Sequence, residues 1–215
     1  MKRRGVICLG VAILVLALAA QAQAAPQAER RPLTTYLGIY GGYSLLPDTD
    51  VEAGGTTYND QEFEDGHLVG GRVGWWHERA PWLAWEINVW NTWTSIEGQP
   101  VNTPLGGDVD VNLLNFSGSL LLQWLCGPVR LYGGGGPLGT WAELTDTAID
   151  EDTLEIGVLG QAGLEYTLYQ PIEWGLFAEY RFSWNDLDFE HDNPGTVKIN
   201  DLGRHEFIGG ASFRF

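Results

Sequence analysis

The histidines are the residues of this chain best suited to proton transfer near neutral pH. There are four of them: His67, His77, His191 and His205. Catalysis by a histidine needs a nucleophile within hydrogen-bonding reach and a third group that orients the ring. His205 is the strongest candidate, yet no His-x-Ser-Asn motif accompanies it. We therefore expect histidines in loops or at an interface, and the sequence predicts no catalytic residue.

Carboxylates are far more numerous, with 28 Asp and Glu against 12 Lys and Arg. Carboxylate oxygens are the ligands that Ca²⁺ and Mg²⁺ prefer. The segment 48–54 is not an EF-hand loop, because Ala53 stands where glycine is required and no glutamate closes the loop. We expect a solvated, mutually repulsive surface and predict no metal site. The acidic clusters lie at 48–52, 60–65, 146–152 and 186–192.

A run of four glycines, Gly133 to Gly136, could suggest a phosphate-binding loop. Such a loop continues into Lys-Ser/Thr and opens a helix, whereas Pro137 follows here. Proline cannot donate to a β-ladder. The run therefore predicts a bent strand with a β-bulge at Pro137, and no cofactor site.

A further set of charged residues lies at alternate positions within otherwise apolar segments. Only β-strands would place all of these side chains on one face. Alternation of apolar and polar residues over about ten residues indicates a β-strand with two different faces. The charges of this set are Arg72, Glu86, Glu165, Glu179 and Arg181. The segments cover about 36–45, 67–77, 82–94, 111–125, 129–143, 154–168, 174–184 and 206–215.

The connections between these eight segments alternate in length. Long ones are expected near 46–66, 95–110, 144–153 and 185–202, and short ones near 78–81, 126–128 and 169–172. Long loops at one rim and tight turns at the other are typical of bacterial outer-membrane barrels. The sequence therefore predicts an all-β, eight-stranded antiparallel transmembrane β-barrel of up-and-down topology.

The N-terminus has the pattern of a signal peptide: Lys2, Arg3 and Arg4 precede an apolar run over 5–20, and Ala22-Gln23-Ala24 fits the small-x-small cleavage motif. We expect a signal peptide at 1–24, a short segment at 25–33 and the barrel at 34–215. Cleavage would leave nine Lys and Arg against 28 Asp and Glu, a net charge of −19. Such a chain is an improbable partner for nucleic acid.

Which face points outward decides between a membrane barrel and a soluble one. Trp174 and Trp184 bracket the apolar face of the seventh strand, like the aromatic girdles of a membrane barrel. An arginine on the lipid face would cost about 2–4 kcal/mol at mid-membrane, whereas an eight-stranded interior is narrow enough for side chains to fill. We expect the charges to form a buried salt-bridge plug, with Arg72–Glu86 as the first pair and Glu179, Arg181 and neighbouring Glu165 close together. A secreted soluble barrel is the alternative.

The C-terminal sequence 205–215, HEFIGGASFRF, resembles the last strand of Gram-negative outer-membrane barrels. The resemblance implies that Phe213 and Phe215 form the signal read by the barrel-assembly machinery. The segments 164–168 and 176–182 resemble the sixth and seventh strands of small single-domain barrels of the opacity and OmpA/OmpX kind. Because the sequence stops at Phe215, we do not expect the periplasmic peptidoglycan-binding domain that many OmpA-type proteins carry.

The resemblance implies a protein of the cell outer membrane, surrounded by outer-membrane lipid and lipopolysaccharide. We expect a non-enzymatic barrel that supports outer-membrane integrity or surface interaction, such as adhesion, through acidic extracellular loops. Divalent cations that bridge these loops to lipopolysaccharide phosphates are one variant, and the surface partner is unknown. Two alternatives remain open: a lipid A-modifying enzyme with His205 as its base, and a small pore or lateral path for an apolar ligand.

Overall fold

Ten β-strands make up the computed structural model of the chain. The structure describes residues 35–47, 49–53, 56–61, 64–77, 79–96, 109–145, 150–168, 173–189 and 197–215. No helix among these residues is long and apolar enough to cross a membrane. The strands are β1 (Thr35–Leu45), β2 (Thr49–Ala53), β3 (Thr56–Gln61), β4 (Gly66–His77), β5 (Ala80–Ile96), β6 (Val109–Cys126), β7 (Val129–Thr145), β8 (Asp150–Leu168), β9 (Trp174–Phe189) and β10 (Val197–Arg214).

Eight of these strands close into an antiparallel barrel. Strands β4 to β10 pair in sequence order, and β1 joins the two ends by pairing with both β4 and β10. Following the paired residues from Leu45 through all eight strands leads back to Thr35, ten residues earlier on β1. With ordinary strand spacing, this stagger tilts the strands by about 40° from the barrel axis. The predicted eight-stranded up-and-down barrel is confirmed.

The two rims of the barrel differ. At one rim, here called the turn end, β6 and β7 join through Gly127 and Pro128, with Gly127 at a φ of 63°. Thr35 and Phe215 exchange backbone hydrogen bonds of 3.3 and 3.0 Å at the same rim. The opposite rim, here called the loop end, carries the connections β1–β4, β5–β6, β7–β8 and β9–β10.

The outer face is apolar, whereas the inner face combines charged and polar side chains with buried apolar ones such as Trp90 and Phe177. Charges inside and apolar side chains outside are the inverse of a soluble barrel. On β9, Leu176, Tyr180 and Trp184 are at least 38% exposed, whereas Glu179 and Arg181 on the alternate positions are buried. Trp174 and Trp184 are ten residues apart on a strand tilted by about 40°, which spaces them about 25 Å along the barrel axis. That is the height of the apolar band of outer-membrane barrels.

At the loop end, the strands extend into segments that the sequence analysis expected to be loops. The segment 46–66 contains the hairpin β2–β3, β8 begins at Asp150, β9 runs to Phe189 and β10 begins at Val197. The long-loop prediction was therefore wrong over these residues. Beyond the band, the outer side of a strand faces water, so the lipid-facing alternation that marked the strands stops while the backbone pairing continues.

The predicted bulge at Pro137 was also wrong. Strands β6 and β7 keep one register on both sides of it, from Ser117–Leu138 to Leu120–Gly135. The ladder instead skips two positions, where Gly118 and Ser119 lie opposite Gly136 and Pro137. The missing N–H of Pro137 is thus accommodated by an interrupted ladder without an inserted residue. The register shift of β10 lies between Ile199 and Leu202.

Candidate functional site

A cluster of four charged side chains occupies the middle of the barrel interior. Arg72 Nη1 lies 2.9 Å from Glu179 Oε2 and 3.5 Å from Glu86 Oε2, and Arg181 Nε lies 2.5 Å from Glu179 Oε1. All four residues are at most 4% exposed. Their strands β4, β5 and β9 point every second side chain inward, so one alternating pattern delivers charges of both signs to the same place. Glu179 bridges the two guanidinium groups.

Neutral polar groups complete the cluster. Tyr132 donates a hydrogen bond of 2.6 Å to Glu179, and Arg181 donates to the hydroxyl of Tyr40 at 2.8 Å and to Asn88 Oδ1 at 2.8 Å. Glu86 accepts hydrogen bonds from Tyr36, from Asn88 at 2.9 Å and from Gln161 at 2.7 Å. Buried charges are stable only when they are paired and hydrogen-bonded. The network meets that condition with residues from six strands.

Aromatic and small residues shape the space around Arg72. Its guanidinium carbon lies 3.6 Å from the centroid of the Phe177 ring, a cation–π contact. A Cβ added at Gly38 would lie 2.9 Å from Arg72 Cγ and Nε. Glycine at position 38 therefore makes room for the arginine, and the interior is filled by complementary sizes.

Glu165 does not join this cluster. Arg214 Nη2 lies 2.7 Å from Glu165 Oε1, and Ser212 donates to the same oxygen. Both partners come from β10 at the turn end. The structure thus brings Arg72 and Glu86 together, and Glu179 and Arg181 together, and gives Glu165 a partner that the sequence analysis did not name.

Another buried guanidinium, that of Arg204, lies nearer the loop end. Arg204 donates to Asn115 Oδ1 at 2.9 Å, Thr140 Oγ1 at 3.2 Å and Asn185 Oδ1 at 3.3 Å, and it is fully buried. Glu206, two residues further on, accepts from the indole N–H of Trp90 at 3.0 Å. Arg204 is thus held by neutral oxygens, with a carboxylate two residues away on the same strand.

Arg130 differs from the other buried arginines in its surroundings. It is 8% exposed at the turn end, and its guanidinium carbon lies 4.1 Å from the Trp76 ring centroid. Its Nε and Nη1 atoms have no hydrogen-bond partner. Sequence reasoning missed Arg130 because the glycine run left the faces of the fifth strand unassigned. It missed Arg204 because this residue precedes the apolar alternation of the last strand, although it shares the parity of Arg214.

The histidines with described side chains lie at the rims. His205 is on the outer side of β10, where Nδ1 lies 2.7 Å from the hydroxyl of Tyr180 and the ring packs 5.1 Å from Phe182. His67 packs 5.4 Å from the Tyr43 ring, and His77 lies at the turn end. His191 and much of the acidic clusters, Asp48, Glu62, Asp146 and Asp192 among them, are outside the described residues. Within the described part of the chain, no group of three or more metal-ligating side chains is present.

A family model for the outer membrane protein beta-barrel domain matches residues 11–215, nearly the whole chain. The chain belongs to this family. Its members are outer-membrane barrels, so the expected localisation in the Gram-negative outer membrane is confirmed. Because such barrels carry tight turns on the periplasmic side and longer connections outside, the turn end faces the periplasm and the loop end faces the medium. The signal peptide at 1–24 stays a prediction, since residues 1–34 lie outside the described part.

Solved structures of small outer-membrane barrels share this fold at low sequence identity. Neisserial surface protein A is 15% identical with a TM-score of 0.55, over 84% of this chain and 97% of that chain. OprG from Pseudomonas aeruginosa is 15% identical with a TM-score of 0.57, over 85% and 96%. The outer membrane protein AlkL is 15% identical with a TM-score of 0.57, over 89% and 94%. No curated protein sequence matches the chain.

Proposed function

We propose that this family member is a non-enzymatic barrel whose acidic loop end interacts with positively charged partners at the cell surface. The observation that supports this proposal is that the acidic residues are concentrated at the loop end, whereas most arginines are not. The segments 46–66, 94–112, 142–155 and 185–202 hold 21 Asp and Glu and a single Lys or Arg, Lys198. Five arginines are instead buried inside the barrel: Arg72, Arg130, Arg181, Arg204 and Arg214.

The form of the loop end supports the same proposal. Above the membrane band, β10 pairs with β2 through Val197–Ala53 to Ile199–Val51, and β3 follows β2 as the last strand of that sheet. Strands β5 to β10 also extend at the loop end into the segments expected to be loops. Most acidic residues that the structure describes in these segments therefore lie on paired strands at the loop end. A net charge of one sign on such a surface attracts counter-charged ligands and raises their association rate.

The test uses purified barrel in phosphate-free nonionic micelles and a 20-residue polylysine peptide as the probe. Asp150→Asn/Glu151→Gln/Asp152→Asn should weaken peptide binding by about tenfold or more, because like charges act together on a polycation. The matched control, Glu78→Gln/Glu173→Gln, removes acids from the turn end and should leave binding unchanged. Equal binding by all three proteins, or binding that is insensitive to salt, would refute the proposal.

The non-enzymatic part of the proposal rests on the surroundings of His205. Its contacts are the hydroxyl of Tyr180 and the rings of Tyr180 and Phe182, without a serine or cysteine nucleophile among the described contacts. Lipid A from cells with and without the gene should have the same mass spectrum. A mass change on deletion that wild type restores and His205→Ala does not would establish the enzymatic alternative.

A lateral path for an apolar ligand is a second candidate, favoured by the interrupted β6–β7 ladder. Gly118 and Pro137 face each other across the interruption without pairing, on the lipid side of the wall. A disulfide between Gly118→Cys and Pro137→Cys, in a Cys126→Ser background, should close this point. If wild type speeds uptake of an apolar dye into vesicles and oxidation of the double variant abolishes it, the path exists. Uptake equal to that of empty vesicles would eliminate it.

A further inference from the structure

One arginine at the periplasmic mouth of the barrel interior has no ion pair with any described residue. In the described part of the chain, five arginines and four glutamates are buried; the glutamates are Glu86, Glu165, Glu179 and Glu206. Ion pairs join Arg72 and Arg181 to the central carboxylates and Arg214 to Glu165. Arg204 has three neutral acceptors and Glu206 nearby. Arg130 has no ion pair among the described residues, and its Nε and Nη1 atoms have no hydrogen-bond acceptor there.

The carboxylate closest in register to Arg130 is already engaged. Arg130 pairs across β7 and β8 with Glu165, but Glu165 Oε1 accepts from both Arg214 and Ser212. Of the two buried arginines here, Arg214 holds this carboxylate, and Arg130 is left without an ion pair among the described residues. An unpaired buried charge is strongly unfavourable, so a compensating anion from outside the chain would stabilise this end of the barrel.

The remaining surroundings of Arg130 suit an oxyanion. Its guanidinium packs on the Trp76 ring, which holds the plane of the group, and its Nε and Nη1 have no partner within the protein. Arg130 is 8% and Arg214 is 9% exposed, so both keep contact with the periplasmic side. Arg130 lies two residues from the turn at Gly127–Pro128, and Arg214 is the last residue of β10. Guanidinium groups bind phosphate and related oxyanions through paired, charge-assisted hydrogen bonds.

We propose that Arg130 and Arg214, with Trp76 as a stacking platform, form a binding site for one phosphate-class oxyanion at the periplasmic mouth of the barrel. The phosphate comes either from a phospholipid headgroup of the periplasmic leaflet or from a free ion. The site is at the end opposite to the acidic surface and does not depend on it.

The first measurement is urea unfolding of the purified barrel in nonionic micelles, with inorganic phosphate against chloride at matched ionic strength. A ligand that binds only the folded state multiplies the folding equilibrium constant by one plus the ratio of its concentration to Kd. Wild type and the control Arg79→Gln, which removes an exposed arginine of the same rim, should show this increase. Arg130→Gln should show none.

A second arm identifies the source of the phosphate. Mixed micelles containing phosphatidylglycerol are compared with micelles containing diacylglycerol, which lacks the headgroup. Stabilisation by phosphatidylglycerol alone assigns the site to lipid, and stabilisation by inorganic phosphate assigns it to a free ion. If neither stabilises wild type, or if Arg130→Gln responds as wild type does, the site does not exist.

Urea unfolding of the variants without phosphate separates a binding role of Arg130 from a structural one. Without phosphate, Arg130→Gln removes an uncompensated charge and should unfold at the same urea concentration as wild type or a higher one. Arg214→Gln breaks an ion pair with Glu165 and should unfold at a lower one. A loss of stability in Arg130→Gln equal to that of Arg214→Gln would show that Arg130 is an ordinary structural cation, and would overturn the proposal.

Discussion

Glu179 is the residue on which the central charges depend, because both of its oxygens bind a buried guanidinium. Glu179→Gln keeps the size of the side chain and removes its charge. Among the described residues, Arg181 then has no carboxylate within 4 Å, and Arg72 keeps only the longer contact to Glu86. Removing one partner of a buried ion pair costs about 3–5 kcal/mol. We expect the free energy of unfolding in micelles to fall by about that amount.

The matched control for this substitution is Asp152→Asn, an exposed carboxylate on β8. Surface substitutions of this kind change stability by less than about 0.5 kcal/mol. An equal effect of the two substitutions on the urea midpoint would mean that the interior network contributes no net stability.

At the same scale, sequence reasoning found the central charges and missed the peripheral ones for a physical reason. Arg72, Glu86, Glu179 and Arg181 each occupy a polar position of a clear alternation, so their inward direction follows from parity. Arg130 is followed by four glycines, which carry no side chain to mark a face, and Arg204 precedes the aromatic half of β10. Pairing between distant strands, such as Arg214 with Glu165, depends on barrel closure and register, which parity does not specify.

At the scale of the element, β7 owes its course to its glycines. A Cβ added at Gly134 would overlap the carbonyl oxygen of Leu120, and one at Gly136 would overlap that of Gly118. These are backbone atoms of β6, which yield only if the strands separate. Gly118 itself has nothing within 4 Å of an added Cβ.

The difference in space at Gly134 and Gly118 predicts different effects of alanine at these two positions on folding. Gly134→Ala should fold poorly, with a smaller heat-resistant fraction on a gel run without boiling, because β6 and β7 must move apart. Gly118→Ala should fold as wild type does, because its methyl group enters open space on the lipid side. Equal folded fractions for the two variants would show that the close approach of β6 and β7 is not required.

The extent of the strands was the part of each element that sequence could not specify. Inside the membrane band, lipid on one side and polar filling on the other produce the alternation that located all eight barrel strands. Past Trp184, β9 continues through Asn185 and Leu187, which stay buried on the inner side while Asp186 faces water. Polar residues on the outer side of such a segment resemble a loop in sequence, although the backbone ladder is intact.

At the scale of the molecule, a filled interior determines what the barrel can conduct. Arg72, Glu86, Glu179 and Arg181 come from three strands and meet at the centre, each at most 4% exposed. We expect this layer to leave an ion no water-filled path. Wild type should therefore show no steady conductance in planar bilayers, whereas Arg72→Ala/Glu179→Ala should conduct if it folds, because it removes two long side chains from this layer. Steady conductance of wild type would show that the layer opens.

Residues on the outer surface can be used to test where the apolar band lies along the strands. Ile87 is 48% exposed on β5, about midway between Trp82 and Trp93, and therefore at the centre of the apolar band. Leu154 is 57% exposed on β8, four residues on the loop side of Val158, which pairs with Trp184, and therefore above the band.

An arginine on the lipid face costs about 2–4 kcal/mol at the bilayer midplane and about 0–1 kcal/mol near the interface. Ile87→Arg should therefore lower the free energy of unfolding in phospholipid vesicles by the larger amount, and Leu154→Arg by the smaller, although both replace an exposed apolar side chain. In micelles, whose boundary adapts to the protein, the two costs should converge. Equal costs in vesicles would place the band elsewhere along the strands, and with it the division between the buried arginines and the acidic surface.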